Sequence, residues 1–373
     1  MELRITEVTS ASQRRLFEQV AEDLHGAIPN FVPPFPGSVA GFLKPDSVFH
    51  RLHGKIAAFI AWHDGRPVGR VAAILNERHN RHYGDTTGFF GFFECIDDET
   101  VARALLDRAA AFLTEAGRAS MRGPYNPSIN DECGLLVEGF ERQPCIGLTW
   151  NPPYYARLVQ AAGLQPVRSS LGYRLPLASL EPNPRVVRLA KRVEQRTKMR
   201  LRPIDMKALP RDLAVVQEVY NDTLSRNWGF VPIQLDDLLA AAGDLRAIAD
   251  PEMILIAERD GEPAGVALSL PNFNELLHAL KRTPRWLRLP HLLWLIKTRR
   301  PKRGRFVVYG ILPKFRDLGL HPWLLHEQFL RAKRRYEEAD LGWVEENNTE
   351  IIASAHLMGA IDCQRWQIFE KAL

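Results

Sequence analysis

The chain contains the same short segments twice, in the same order, and this duplication constrains its fold more than any other feature. Residues 31–33 (FVP) recur at residues 230–232, and residues 64–69 (DGRPVG) recur as DGEPAG at residues 260–265. Because both pairs keep their order and nearly the same offset, they indicate a duplicated domain and not a short-period solenoid. A length of 373 residues also exceeds what a single core usually serves.

Each half of the sequence predicts the same order of elements. A strand and a helix come first, a hairpin turns at the repeated Asp-Gly pair, and a central strand then leads into alternating helices and strands. This order predicts a mixed α/β layer fold, with one domain at residues 1–178 and a second at residues 185–373. The proline-containing segment at residues 180–184 is the expected linker. In the first half, Asn151 followed by two prolines predicts the start of a helix that ends at Gly163.

The composition argues against a disulfide-rich, metal-binding, secreted or membrane-spanning protein. The four cysteines are scattered, without a CxxC pair or a histidine at ligand spacing, so neither a disulfide framework nor a metal site is expected. The first residues lack the apolar core of a signal peptide, and no apolar run reaches the length of a membrane span. These features predict a cytoplasmic protein, which can associate peripherally with the inner face of the cytoplasmic membrane.

The net charge of +5 is unevenly distributed, because one segment of the second half, residues 281–305, contains basic but no acidic residues. Its bases are Lys281, Arg282, Arg285, Arg288, Lys297, Arg299, Arg300, Lys302, Arg303 and Arg305. Tryptophan and leucine lie between them, which is the composition of a segment that binds at a membrane surface. A helical hairpin whose apolar face packs on the core is a second interpretation. A nucleic-acid surface is the third and least favoured one.

The strongest motif in the second half is the loop between the predicted central strand and a helix that starts at Pro322. It reads ILPKFRDLGLH at residues 311–321. A strand that enters a glycine-containing turn and then a helix directs backbone N–H groups and the positive end of the helix dipole at one spot, which suits a phosphate. The residues expected to hold the phosphate are Ile311, Leu312, Arg316, Leu318, Gly319, Leu320 and His321. Arg316 adds a fixed charge, and Gly319 lets the backbone approach closely.

The matching place in the first half carries carboxylates instead. Residues 94–99 read ECIDDE, and acidic side chains at a helix start favour the helix dipole but repel a pyrophosphate. The first domain is therefore expected to lack a coenzyme site. Its distinctive segment is residues 125–133 (YNPSINDEC), which places amide, hydroxyl, carboxylate and thiol groups at the end of a strand, where functional loops usually lie.

The loop at residues 311–321 resembles the Arg/Gln-x-x-Gly-x-Gly/Ala pyrophosphate loop of the GNAT acyltransferases. Residues 345–348 (EENN) resemble the start of the segment that closes the coenzyme A site in that family. Two positions depart from the family pattern. His321 replaces the last small residue of the loop, and Ala355 stands where many members have a tyrosine that protonates the leaving thiolate.

The whole chain resembles one bacterial family of tandem GNAT-fold proteins, which includes the bacterial ceramide synthases. The segments that carry this resemblance are residues 123–137 (GPYNPSINDECGLLV), 151–155 (NPPYY) and 343–347 (WVEEN). The resemblance implies two GNAT-like domains in tandem, with acyl-CoA as a cosubstrate and no permanently bound cofactor. It also implies transfer of a fatty acyl group to the amine of a sphingoid base or its 3-oxo form. An aminoacyl transferase that uses charged tRNA and a non-catalytic protein that binds lipid or acyl-CoA are the alternatives.

An acyltransferase that acts on an amine needs a base, because the amine arrives protonated and must lose a proton before it attacks. The candidate bases are Asp131, Glu132, Glu345 and Glu346, with Asn130 and Asn347 as orienting groups and Tyr125 as a further catalytic candidate. Asn347 is also expected to contact the coenzyme. The acceptor is expected in the cleft between the domains. The alternative for each residue is a turn network in which the side chain satisfies local backbone. Cys133 as a nucleophile ranks lower, since no histidine is near it in sequence.

Overall fold

The computed structural model describes residues 3–245 and 249–373. The strands are β1 (Leu3–Glu7), β2 (Gly54–His63), β3 (Arg66–Asn76), β4 (Thr87–Cys95), β5 (Ser120–Gly123), β6 (Tyr125–Asn126), β7 (Glu132–Cys133), β8 (Leu135–Glu138), β9 (Gln165–Leu175), β10 (Arg200–Pro203), β11 (Ile254–Arg259), β12 (Glu262–Pro271), β13 (Arg303–Ile311), β14 (Glu338–Glu345) and β15 (Ile361–Ala372). The helices are α1 (Ala11–His25), α2 (Ser38–Phe42), α3 (Val48–Leu52), α4 (Glu77–Tyr83), α5 (Glu99–Glu115), α6 (Tyr155–Ala161), α7 (Pro184–Thr197), α8 (Leu209–Leu224), α9 (Leu235–Leu245), α10 (Asn274–Ala279), α11 (Arg288–Thr298), α12 (His321–Arg335) and α13 (Thr349–Leu357).

The chain divides into two compact units, and each unit draws on separate parts of the sequence. The first consists of the chain up to Ser170 together with Leu276–Leu295 and Gln364–Leu373. The second consists of Leu171–Glu275 and Ile296–Cys363. Compared with the ranges expected from the sequence, the first unit therefore also contains an inserted segment and most of the C-terminal strand.

The sheet of the first unit has the strand order β1-β2-β3-β4-β5, with β15 next to β5. Neighbouring strands are antiparallel except β4 and β5, which run parallel and are joined through α5. Leu105, Leu106 and Ala109, on one face of α5, are fully buried in the core of this unit. Phe369 of β15 is buried in the same core. The C-terminal strand is thus a structural part of the first unit.

The sheet of the second unit repeats this arrangement with the order β10-β11-β12-β13-β14. Here β13 and β14 are the parallel pair, joined through α12, and the other neighbours are antiparallel. Its core contains Val219 of α8, Leu255 of β11 and Leu324 of α12, all fully buried. The predicted mixed α/β architecture is confirmed, and the duplication in the sequence is a duplication of the fold.

One predicted helix start is wrong, and α7 was not predicted. Asn151 does not cap a helix, because the Leu136 N–H donates to its side-chain oxygen at 2.7 Å and its amide donates to the Leu136 carbonyl at 3.2 Å. The helix that follows begins at Tyr155. The apolar spacing of α7, in which Val186, Ala190 and Val193 are buried while the basic residues between them are exposed, is an amphipathic pattern that the sequence prediction did not use.

The basic segment of the sequence folds into two short 3₁₀ turns followed by α11. Leu292 and Leu295 on one face of α11 are fully buried. The interpretation of this segment as a helix packed on the core therefore accounts for one face of α11. Among the described residues, no helix has the combined length and apolar character that crossing a membrane requires.

Candidate active site

The parallel strands of the second unit separate halfway along their length. The ladder between them joins Arg303–Phe306 of β13 to Glu338–Leu341 of β14 and ends there, although β13 continues to Ile311 and β14 to Glu345. The opening therefore lies at the carboxyl ends of two parallel strands. Ligands of α/β sheets bind at this edge, where helix N-termini and loops converge.

A bulge in β13 adjusts the side chains beside this opening. Leu268 of β12 is paired with Val308, whereas the next residue, Ser269, is paired with Phe306, so Val307 is the extra residue. A bulge turns the following side chains towards the other face of the sheet. Beyond it, Gly310 lies against α8 so closely that a Cβ atom there would be 2.0 Å from Thr223 Oγ1. The strand backbone thus packs directly on α8 near the opening.

The loop that leaves β13 ends in an uncapped helix N-terminus. A 3₁₀ turn at Pro313–Leu318 is followed by Gly319, whose φ of +66° lies in the left-handed region that favours glycine. The N-cap position of α12 is Leu320, which supplies no side-chain hydrogen bond, and the first turn of α12 contains no acidic residue. The first N–H groups of an α-helix have no partner within the helix. The start of α12 is therefore a suitable place for an anion.

The corresponding helix of the first unit, α5, begins differently. Asp98 is its N-cap, and its carboxylate accepts hydrogen bonds from the backbone N–H groups of Thr100 and Val101. Glu99 adds a second negative charge in the first turn. The protein's own carboxylates therefore fulfil at α5 the role that an external anion could fulfil at α12.

The first unit differs in a second way, because the corresponding opening between its parallel strands β4 and β5 is filled. The ladder of β4 with β5 ends at Phe89, while β4 continues to Cys95. The side-chain oxygen of Asn126 accepts a hydrogen bond of 2.6 Å from the Phe92 N–H beyond that point. Any Cβ atom at Gly91 would lie 1.5 Å from the Tyr125 carbonyl oxygen. The segment after β5 thus occupies the place that a ligand would need.

Arg316 lies in the loop before α12 with its guanidinium held by two partners. Its Nε donates to the Ile311 carbonyl at 3.1 Å, and a second nitrogen forms an ion pair with Asp222 of α8. These contacts hold the Arg316 guanidinium in place, and its charge lowers the pKa of His321 at the helix start. Part of its hydrogen-bonding capacity is already used by Asp222.

The apolar members of the predicted phosphate loop have buried side chains. Ile311, Leu312 and Leu320 are 1%, 9% and 0% exposed and belong to the core of the second unit, and Leu318 packs against it. The Leu312 N–H donates to the Ala264 carbonyl at 2.9 Å. These residues can meet a ligand only through their remaining backbone groups, while their side chains hold the loop on the core.

His321 is the first residue of α12 and lies beside Tyr309 of β13, with their ring centroids 5.5 Å apart. The Tyr309 hydroxyl donates to the His321 carbonyl. Burial raises the pKa of Tyr309, so this hydroxyl stays protonated at neutral pH. Partial removal of the His321 ring from water, together with the nearby charge of Arg316, lowers the pKa of His321. A neutral imidazole thus stands at the helix start.

The predicted residues at the end of β14 have separate environments. Glu345 Oε1 accepts a hydrogen bond of 2.6 Å from the Trp228 N–H, which belongs to the loop after α8. Glu346 and Asn347 are exposed in the turn that follows. Asn348, which was not singled out from the sequence, caps α13, since the Ile351 N–H donates to its side-chain oxygen. An Asn followed by Thr-Glu at a helix start is a recognisable capping pattern.

The predicted residues of the first unit lie together in a small hairpin made by β6 and β7. Tyr125 is 3% exposed, and burial raises its pKa well above the usual value. The Ser128 hydroxyl donates to Asp131 at 2.6 Å and accepts from the Asn130 N–H at 3.2 Å. Glu132 is exposed opposite Asn126. The Ser128 contacts are those of a local turn network, the alternative that the sequence leaves open for Asp131.

A buried polar network at the end of β4 was not predicted. The Tyr155 hydroxyl donates to Glu94 at 2.7 Å and lies 2.7 Å from His25 Nε2, and Arg70 lies 3.5 Å from the same carboxylate. Burial alone would raise the pKa of Glu94, but the hydrogen bonds and the Arg70 charge outweigh it, so the pKa is lowered. The sequence signal was weak, because these residues are far apart in the chain. The described residues contain no cluster of His, Cys, Asp and Glu suited to a metal ion.

Known proteins provide an independent view of this architecture. No family model matches the chain. The chain is similar to Protein YghO of Escherichia coli, with 29% identity over 85% of this chain and 82% of that protein. It is also similar to Bacterial ceramide synthase of Caulobacter vibrioides, with 28% identity over 100% of this chain and 98% of that protein.

Solved structures show the same fold. A tandem GNAT protein from the clavulanic acid biosynthesis pathway matches with a TM-score of 0.58 and 14% identity, over 100% of this chain and 98% of that chain. A GCN5-related N-acetyltransferase from Sphaerobacter thermophilus matches with a TM-score of 0.53 and 14% identity, over 99% of this chain and 95% of that chain. The chain therefore has the fold of tandem GNAT proteins.

Proposed function

We propose that this chain, which resembles the tandem GNAT-fold family that includes the bacterial ceramide synthases, is a GNAT-type N-acyltransferase that transfers a fatty acyl group to a lipid amine. Acyl-CoA is the proposed donor, bound by the second unit. The proposed acceptor is a sphingoid base or its 3-oxo form. The full-length similarity to the bacterial ceramide synthase supports this choice of acceptor.

The main support for a donor site in the second unit is the contrast between the N-termini of α12 and α5. The N-terminus of α12 has neither a capping side chain nor an acidic first turn, whereas Asp98 and Glu99 occupy the start of α5. A pyrophosphate at α12 would receive backbone N–H groups and the helix dipole, with Arg316 and the neutral His321 beside it. In the first unit, the corresponding opening between the parallel strands is filled by Asn126. The second unit is thus the better donor site.

The proposed reaction is attack of a neutral amine on the thioester. The amine nitrogen forms a C–N bond to the carbonyl carbon, the C–S bond breaks, and the CoA thiolate leaves and takes up a proton. The amine proton passes to a base, for which Glu346, exposed in the turn after β14, is the candidate. Most of the acceleration is expected from holding the amine against the thioester and from backbone N–H groups that polarise its carbonyl.

The test is thiol release from short-chain and long-chain acyl-CoA, with and without sphinganine or 3-oxosphinganine, with the products identified by mass. The expected result is consumption of long-chain acyl-CoA only when a sphingoid amine is present, together with formation of its amide. Saturable binding of acyl-CoA without turnover would leave the donor site standing and reject the acceptor. No binding of any acyl-CoA would overturn the donor site as well.

A further inference from the structure

The inserted helix α11 has one face buried in the first unit and an opposite face in solvent. Leu292 and Leu295 are fully buried. The exposed face, here called the α11 face, consists of Trp286, Leu289, Leu293 and Trp294, which are 78%, 52%, 53% and 53% exposed. Leu289 and Leu293 are four residues apart on one side of α11, Trp294 follows Leu293, and Trp286 lies in the 3₁₀ turn just before the helix. Packing on the core therefore does not explain these four side chains.

The segment is held in place by ion pairs to α1, within the same unit. Arg288 donates to Glu22 at 2.7 Å, and Arg285 pairs with both Glu22 and Asp23. Lys281 donates to the Ile28 carbonyl at 2.6 Å. These bases serve the internal contact of the segment, which fixes the direction in which the α11 face points.

A second group of bases lies next to these residues along the chain and has no such partners. It comprises Arg282, Lys297, Arg299 and Arg300, all exposed. Within the described part of the chain, none of them forms an ion pair. No acidic residue occurs anywhere in residues 281–305. Exposed tryptophan and leucine bordered by unpaired positive charge are complementary to a bilayer with anionic headgroups.

We propose that the α11 face, with these four bases, is the surface through which the protein docks on an anionic lipid bilayer. The tryptophan rings would enter the interfacial region, and the bases would contact the headgroups. Leu289 and Leu293 offer no flat ring on which a nucleotide base could stack, whereas a bilayer interface accommodates leucine as well as tryptophan, so the mixed face suits lipid better than nucleic acid. The proposal concerns a surface separate from the donor loop and does not depend on the proposed reaction.

The test is co-sedimentation of the full chain with phosphatidylcholine vesicles and with vesicles that also contain phosphatidylglycerol, without acyl-CoA or acceptor. Binding is expected only to the anionic vesicles and is expected to weaken with salt. The double variant Trp286→Ser/Trp294→Ser should lower the affinity about tenfold or more, since two interfacial anchors are lost. Its melting temperature and elution volume should match those of the unchanged protein.

A charge variant tests the bases: Lys297→Gln/Arg299→Gln/Arg300→Gln should weaken binding to the anionic vesicles strongly. Two matched variants on α7 serve as its controls, because α7 is also basic and exposed. Arg188→Gln/Lys191→Gln/Arg192→Gln removes the same charge from α7 and should change it little. Leu189→Ser removes an apolar side chain of α7 that is 36% exposed and should have no effect.

Three results would overturn the proposal. The first is unchanged vesicle binding by the double tryptophan variant. The second is an equal loss from the α7 charge variant, which would mean that net charge alone is responsible. The third is that the double tryptophan variant binds vesicles normally but has a different oligomeric state, or no longer binds a single-stranded RNA probe that the unchanged protein binds. That result would assign the α11 face to a second copy of the chain or to nucleic acid.

Discussion

At the scale of single residues, Arg316 is the most informative position, because its guanidinium stands beside the helix start while it is paired with Asp222. We expect Arg316→Gln to lower the affinity for acyl-CoA about tenfold or more, since a charge-assisted hydrogen bond to phosphate would be lost. Asp222→Asn keeps the guanidinium and should leave the affinity unchanged or raise it. Isothermal titration with a non-hydrolysable thioether analogue of acyl-CoA measures both.

The matched pair separates a ligand contact from a structural one. If Arg316 only joins the loop to α8, both variants break the same ion pair and should lower affinity and melting temperature alike. Equal effects of Arg316→Gln and Asp222→Asn would therefore contradict the assignment of Arg316 to the phosphate.

His321 gives the donor site an expected pH dependence. In the free protein its pKa is lowered, first by partial removal from water and then by Arg316, so the ring is neutral near pH 7. A bound pyrophosphate would favour the protonated ring and raise this pKa, so binding takes up a proton. The affinity for acyl-CoA should therefore increase as the pH falls from about 8 to about 6.

The control is His321→Gln, in which the phosphates of the ligand still titrate but the imidazole is absent. The difference between the two affinity profiles isolates His321. Superimposable profiles would show that no phosphate lies near this ring, while a nuclear magnetic resonance titration of the imidazole measures its pKa directly with and without ligand.

At the scale of elements, Glu345 connects the end of β14 to the loop after α8. Its carboxylate accepts from the Trp228 N–H at 2.6 Å, so its geometry is that of a positioning residue and not of a free base. Glu345→Gln keeps an acceptor oxygen and should retain most of the activity, whereas Glu345→Ala should raise the KM for the amine because the loop is released. Steady-state kinetics of both variants across pH measures this.

The opposite role for Glu345 predicts another result. A general base cannot be replaced by an amide, so Glu345→Gln would then be as inactive as Glu345→Ala, and the acidic limb of the pH profile would disappear. Glu346→Gln is the companion variant, and we expect it to lower kcat more than Glu345→Gln does.

At the scale of the whole molecule, the first unit is incomplete without the end of the chain. β15 pairs with β5 and β8, and its Trp366 and Phe369 are 1% and 0% exposed. A fragment of residues 1–178 lacks this strand and leaves its partners uncovered, so we expect it to be insoluble when produced alone. Co-production with residues 179–373 should restore soluble protein, as judged by gel filtration and circular dichroism. A folded, monomeric 1–178 fragment would contradict this.

The elements that could be predicted from the sequence are those with a local signal. The hairpins at Asp64-Gly65 and Asp260-Gly261 depend on residues that tolerate positive φ, and all four have it in the structure. The helix α5 and the strand β4 follow from apolar spacing alone. The strand, glycine turn and helix start at residues 303–335 were also predictable, because they are adjacent in the chain.

The features that could not be predicted depend on partners that are distant in sequence. Asn is a residue type that often caps helices, but the side chain of Asn151 accepts from the Leu136 N–H and donates to the Leu136 and Pro152 carbonyls instead. The network of His25, Glu94 and Tyr155 joins three separate elements, so no local pattern marks it. Whether Glu345 acts as a base or as a tie to Trp228 is likewise invisible in the sequence.

The sequence by itself determined that this protein is a duplicated mixed α/β fold, because repeats, periodicity and turn residues are local properties of the chain. Only the tertiary structure decided which parts complete each unit and which openings are filled. Asn126 accepts a hydrogen bond from the Phe92 N–H, and Glu22 forms an ion pair with Arg288, whereas the α11 face remains exposed. These outcomes depend on packing between segments that are distant in the chain, because the partners of each side chain are the groups near it in space and not its neighbours in sequence.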